Sequence, residues 1–113
     1  MTVWILKIVA AVLTVGTGLL SLFKPSAVCS FTGLLAEGPR GVTEIRAIFG
    51  GLFVGIGAFP LALGNPVAYR TLGVTYLTIG AVRAGSMVVD RSVDRSNLIS
   101  LAAEIVLGLV LIL

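Results

Sequence analysis

Residues 43–51 read TEIRAIFGG, and the seventeen residues that follow Arg46, AIFGGLFVGIGAFPLAL, carry no charge. As a helix the apolar run Ile45 to Leu63 is about 28 Å long at about 1.5 Å per residue, close to the thickness of a bilayer's hydrocarbon core. The stretch therefore reads as a membrane crossing with a polar mouth. Thr43 is placed as its N-cap, and Glu44 is favourable at the positive end of the helix dipole. Behind Glu44, on the same α-helical face, run Ala47, Gly51, Gly55 and Ala58, a row of small side chains that lets another helix approach closely in lipid. Pro60 is expected to kink the last turn.

Composition makes the same statement for the whole chain. Of 113 residues 58% are hydrophobic and 12% charged, with a mean hydropathy of +1.13. A water-soluble domain carries roughly a quarter of its residues charged, so this is read as an integral membrane protein of one domain, residues 1–113. The net charge of +3 is spread over segment ends and forms no run that could grip nucleic acid, which excludes that partner class. Without a histidine the chain lacks the commonest metal ligand and the usual general base at neutral pH, so no catalytic residue, metal site or cofactor is expected. The single Cys29 has no partner for an intrachain disulfide and reads as a small packing residue. The first apolar run is expected to be a retained helix and not a signal peptide: no positive residue precedes it, Lys7 interrupts it, and Val28 is too large for a lipoprotein cleavage site at SAVCS.

Three further runs complete the pattern. Residues 3–23 are broken only by Lys7 and end at Lys24 and Pro25. Residues 67–89 follow GNP, with Asn65 as cap and Pro66 in the first helical position. The last run is long enough to cross when it begins near Asp94. The expected fold is all-α, an antiparallel bundle of four transmembrane helices over about 3–23, 44–63, 67–89 and 94–113, with a loop at 24–43 that holds a short interfacial helix. Lys24, Arg40, Arg46, Arg91 and Arg95 flank one side and Lys7 and Arg70 the other. The positive-inside rule then puts both termini outside the cytoplasm. Lys7 and Arg70 are expected to snorkel to that edge, where Trp4 and Tyr69 also lie.

Charges at membrane depth need partners. Arg83 and Glu104 stand equally far in sequence from the centre of the turn at Val93 and Asp94, so they share a depth and can pair; Asp90, on the face of Arg83, is a rival nearer water. Glu44 and Arg46 enter on the same side. The four form a candidate intramembrane polar cluster of zero net charge. Ala10, Thr14 and Gly18, and Gly73, Gly80 and Ala84, offer further close helix contacts.

EIRAIFGGLFVGIGAF at 44–59, the Pro25 region, Arg83 and Glu104 together resemble a family of small bacterial four-helix inner-membrane proteins known as a domain of unknown function, loosely DoxX-like. The resemblance implies a bacterial inner-membrane location and names no reaction. The residues themselves point to a non-catalytic protein of the lipid bilayer that works by association, as a homo-oligomer or as an accessory subunit beside a membrane-protein partner. The alternative is a small oligomeric transporter with a proton-responsive Glu104 beside Arg83.

Overall fold

A computed structural model describes residues 1–113, and every regular element in it is a helix. The elements are α1 (Thr2–Phe23), α2 (Pro25–Thr32), α3 (Gly38–Glu44), a π-helical segment (Ile45–Leu52), α4 (Phe53–Leu63), α5 (Pro66–Val89) and α6 (Arg95–Ile112). Thr2–Phe23, Gly38–Leu63, Pro66–Val89 and Arg95–Ile112 are long and apolar enough to cross a membrane. The chain is an all-α, multi-pass membrane protein. Its contacts divide it into two compact units, Met1–Ala10 with Gly64–Leu113, and Ala11–Leu63.

In the first unit α5 and α6 form an antiparallel hairpin. Asn65 caps α5 by accepting from Val67 N at 2.7 Å, with Pro66 just inside the helix. Asp94 caps α6 by accepting from Asn97 N at 2.9 Å. Both starts fall where the sequence puts them, because a cap is a local property of a polar acceptor and the free amides two or three residues on. The two helices meet backbone to backbone where Gly73 faces Gly108. A Cβ on Gly73 would lie 3.0 Å from the carbonyl oxygen of Gly108, and one on Gly108 would lie 3.2 Å from that of Gly73. In lipid, helix association gains nothing from excluding water, so this close van der Waals approach carries much of the attraction.

In the second unit the crossing starts six residues earlier than residue 44, at Gly38, with Pro39 in its first turn. Thr43 is consequently inside the helix and not its cap; its hydroxyl donates to the carbonyl of Pro39. The 24–43 connection is largely helical, formed by α2 and α3. The π segment changes which face packs. Its i→i+5 bonds place more residues in each turn than an α-helix does. The buried row is accordingly Ile45, Gly50, Gly57 and Pro60: five residues, one π turn, separate the first two, and seven, two α turns, separate the next. Gly50 and Gly57 are closed by α1. A Cβ on Gly57 would lie 3.0 Å from the backbone nitrogen of Val15 and the carbonyl of Ala11, and one on Gly18 would lie 2.7 Å from the nitrogen of Val54. The row expected at Ala47, Gly51, Gly55 and Ala58 is not the one that α1 meets. Ala47, Gly51 and Gly55 are exposed, Ala58 is half-buried, and α1 meets their neighbours instead.

Candidate functional site

The polar groups of the hairpin converge near its turn. Val89 ends α5 and Asp90 caps it, and Arg91 takes the left-handed position (φ 53°) that usually falls to glycine after a helix. The amide of Ser92 then donates back to the carbonyl of Met87 at 3.0 Å, closing the turn. Asp94 accepts from Ser96 Oγ as well as from Asn97 N, which fixes the first turn of α6. Asn97 faces back across the hairpin, its Nδ2 donating to the carbonyl of Ser92 at 2.8 Å.

Arg83 reaches into this frame. Its Nε donates to Glu104 Oε1 and its Nη2 to Glu104 Oε2, both at 2.8 Å, a two-bond fork matched to the planar carboxylate. Nη1 donates to Asn97 Oδ1 at 2.9 Å, so one guanidinium binds α6 at two points two turns apart and, through Asn97, the turn itself. The Glu104 side chain is 10% exposed and that of Arg83 30%. A cleft of about 490 Å³ opens on the arginine side, with Arg83, Ser86, Asp90 and Asn97 in its wall beside Ile79 and Val82. Two of the five guanidinium N–H groups remain unspent.

Of the four residues grouped by sequence, the structure joins Arg83 to Glu104. Glu44 has a local partner: Arg40 Nη1 donates to its Oε2 at 2.8 Å, one helical turn away, with the two side chains 80% and 51% exposed. The early start of the helix at Gly38 makes that pair possible, since it puts Arg40 and Glu44 on one face. Arg46 is exposed, and Asp90, the rival for Arg83, makes no ion pair. Asn97 escaped the sequence reading. It lies seven residues, two turns, before Glu104 on α6, a spacing that signals a shared face.

A second polar feature lies at the other end of α5. Lys7, expected to snorkel to the membrane edge where Trp4 lies, is 4% exposed within the chain. Its Nζ stands 5.0 Å from the centre of the Trp4 ring, and Trp4 meets Tyr69 edge to face at 5.6 Å and 84°. The Trp4 ring face stabilises the ammonium where no carboxylate is within ion-pair distance. Arg70 is exposed, as expected, while Tyr69 and Tyr76 are core residues. No three His, Cys, Asp or Glu side chains come together in a group that could hold a metal ion.

Comparison with known proteins returns a family and no relative of known activity. No curated protein and no solved structure matches the chain. A family model described as a domain of unknown function, DUF4345, matches residues 2–113, and the chain thus belongs to that family.

Proposed function

We propose that the protein is a non-catalytic component of the bacterial inner membrane that works by association, with copies of itself or as an accessory subunit of a larger complex, its termini outside the cytoplasm. One observation carries this reading. Gly50 and Gly57 are consumed by contact with α1, whereas Gly55, on another face of the same helix, meets nothing of the Ala11–Leu63 unit within 4 Å, and Gly51 meets only the carbonyl of Arg46 at 4.0 Å. A face of glycines that its own unit leaves open has the shape a neighbouring transmembrane helix needs. The Arg83–Glu104 pair fits the same reading as a clasp within the membrane that holds the hairpin rigid while another face binds.

Cysteines at positions 51 and 55, in a Cys29→Ser background, should cross-link to a partner in native membranes, and Gly55→Leu should abolish the adduct while the monomer stays folded. Absence of any adduct from either position would reject association through this face. Transport through Glu104 is the second reading, favoured by the cleft beside Arg83. Against it, both oxygens of Glu104 already accept from one arginine. A pH-dependent flux into liposomes that disappears with Glu104→Gln would restore it.

A further inference from the structure

The cleft on the hairpin has an order of groups that association does not require. Along one face of α5 stand Ile79 and Val82, then Arg83, Ser86 and Asp90, running from the middle of the membrane-spanning helix to its end at the turn. The apolar end comes first. Thr78 adds to it, because its hydroxyl is turned back onto the carbonyl of Val74 at 2.8 Å. Next come the two unspent N–H groups of Arg83, whose other three are committed to Glu104 and Asn97. Ser86 and Asp90 follow at three and seven residues from Arg83, about 4.5 and 10.5 Å along the helix axis at about 1.5 Å per residue. No side-chain hydrogen bond or ion pair within the chain engages the carboxylate of Asp90.

Apolar wall, cationic donors, hydroxyl, free carboxylate: this is the sequence of an aminophospholipid read from its chains outward, with acyl carbon, then phosphate, then a primary ammonium. We propose that the α5–α6 cleft binds a zwitterionic phospholipid bearing a primary amine, its phosphate on Arg83 and Ser86 and its ammonium on Asp90. Charge decides against the other common headgroups. Arg83 is already balanced by Glu104, so the cleft retains the charge of Asp90, and an anionic headgroup would set its phosphate there with no cation to answer the carboxylate. A quaternary choline has no N–H to donate to Asp90; a primary ammonium has three. The inference does not rest on association through Gly51 and Gly55, which lie in the other unit.

Native mass spectrometry of the purified protein with dioleoyl phosphatidylethanolamine, phosphatidylcholine or phosphatidylglycerol tests it. The ethanolamine lipid should be retained about tenfold more tightly than either of the others, the lower end of what a hydrogen bond to a charged group contributes. Asp90→Asn should bring the ethanolamine and choline lipids level and leave the melting temperature unchanged, because Asp90 holds no other side chain. Ser86→Ala should weaken all three. Equal retention of the three lipids by the unaltered protein would overturn the proposal, and so would a preference that survives Asp90→Asn. Free phosphoethanolamine that displaces the lipid at equal concentration would assign the site to a soluble phosphate ester and overturn the lipid reading.

Discussion

The α5–α6 hairpin and the Ala11–Leu63 unit both bring helices to backbone contact through glycine, Gly73 with Gly108 in one and Gly18, Gly50 and Gly57 in the other. They differ in what fixes the register. In the hairpin, Arg83 makes three directed bonds to α6, and Asn97 carries the connection on to the turn. In the Ala11–Leu63 unit, Thr17, Ser21 and Thr43 donate to carbonyls four residues back in their own helices, so they hold nothing across the contact. Shape complementarity does more of the work there, and the helix that supplies it meets α1 through Gly50 in its π-helical segment and through Val54 and Gly57 in α4. A directed bond selects one register; a smooth glycine surface tolerates neighbouring ones and leaves the choice to the backbone.

The largest test of this contrast is at the pair itself. Arg83→Ala or Glu104→Ala strands a charge and should cost about 3–5 kcal/mol, whereas an Arg83→Met and Glu104→Leu double substitution should cost much less. Unfolding in mixed micelles measures all three. Additive losses would mean that the bonds are not coupled and that the hairpin is held as the other unit is. A smaller effect is expected where shape rules. Gly57→Ala drives a Cβ to 3.0 Å from backbone atoms of α1 and should cost about 1–3 kcal/mol by overpacking, while Gly55→Ala meets open space and should cost little. If the two alanines behave alike by detergent melting, the packed face has been misassigned.

The turn offers a change in the opposite direction. Arg91 holds a left-handed conformation that costs a side-chain-bearing residue about 1 kcal/mol, so Arg91→Gly should stabilise the hairpin by about that much without altering the Ala11–Leu63 unit. Hydrogen exchange of amides in α5 and α6, set against those in α1 and α4, would show whether the gain is confined to one unit. Smallest of all is Arg40→Ala, which removes an exposed pair one turn apart and should cost no more than about 0.5 kcal/mol. A loss as large as that at Arg83 would show that Glu44 is no mere surface partner.

The sequence by itself determined the four crossings, the cap at Asn65, the start of the last helix near Asp94 and the shared depth of Arg83 and Glu104. Each of these follows from counting residues along one helix: apolar length sets a span, a polar side chain caps the amides beside it, and a fixed rise per residue sets depth. What only the tertiary structure decided is rotation about the helix axis. An α-helical count from Glu44 points Ala47, Gly51 and Gly55 toward a neighbour, but a π-helical ladder over Ile45–Leu52 turns Gly50 and Gly57 inward instead. Likewise Lys7 could have reached outward to water, and packing turned it onto the face of Trp4. Depth is local and cumulative along the chain, whereas facing depends on which hydrogen-bond ladder and which rotamer the packed neighbours stabilise, and those neighbours are distant in sequence.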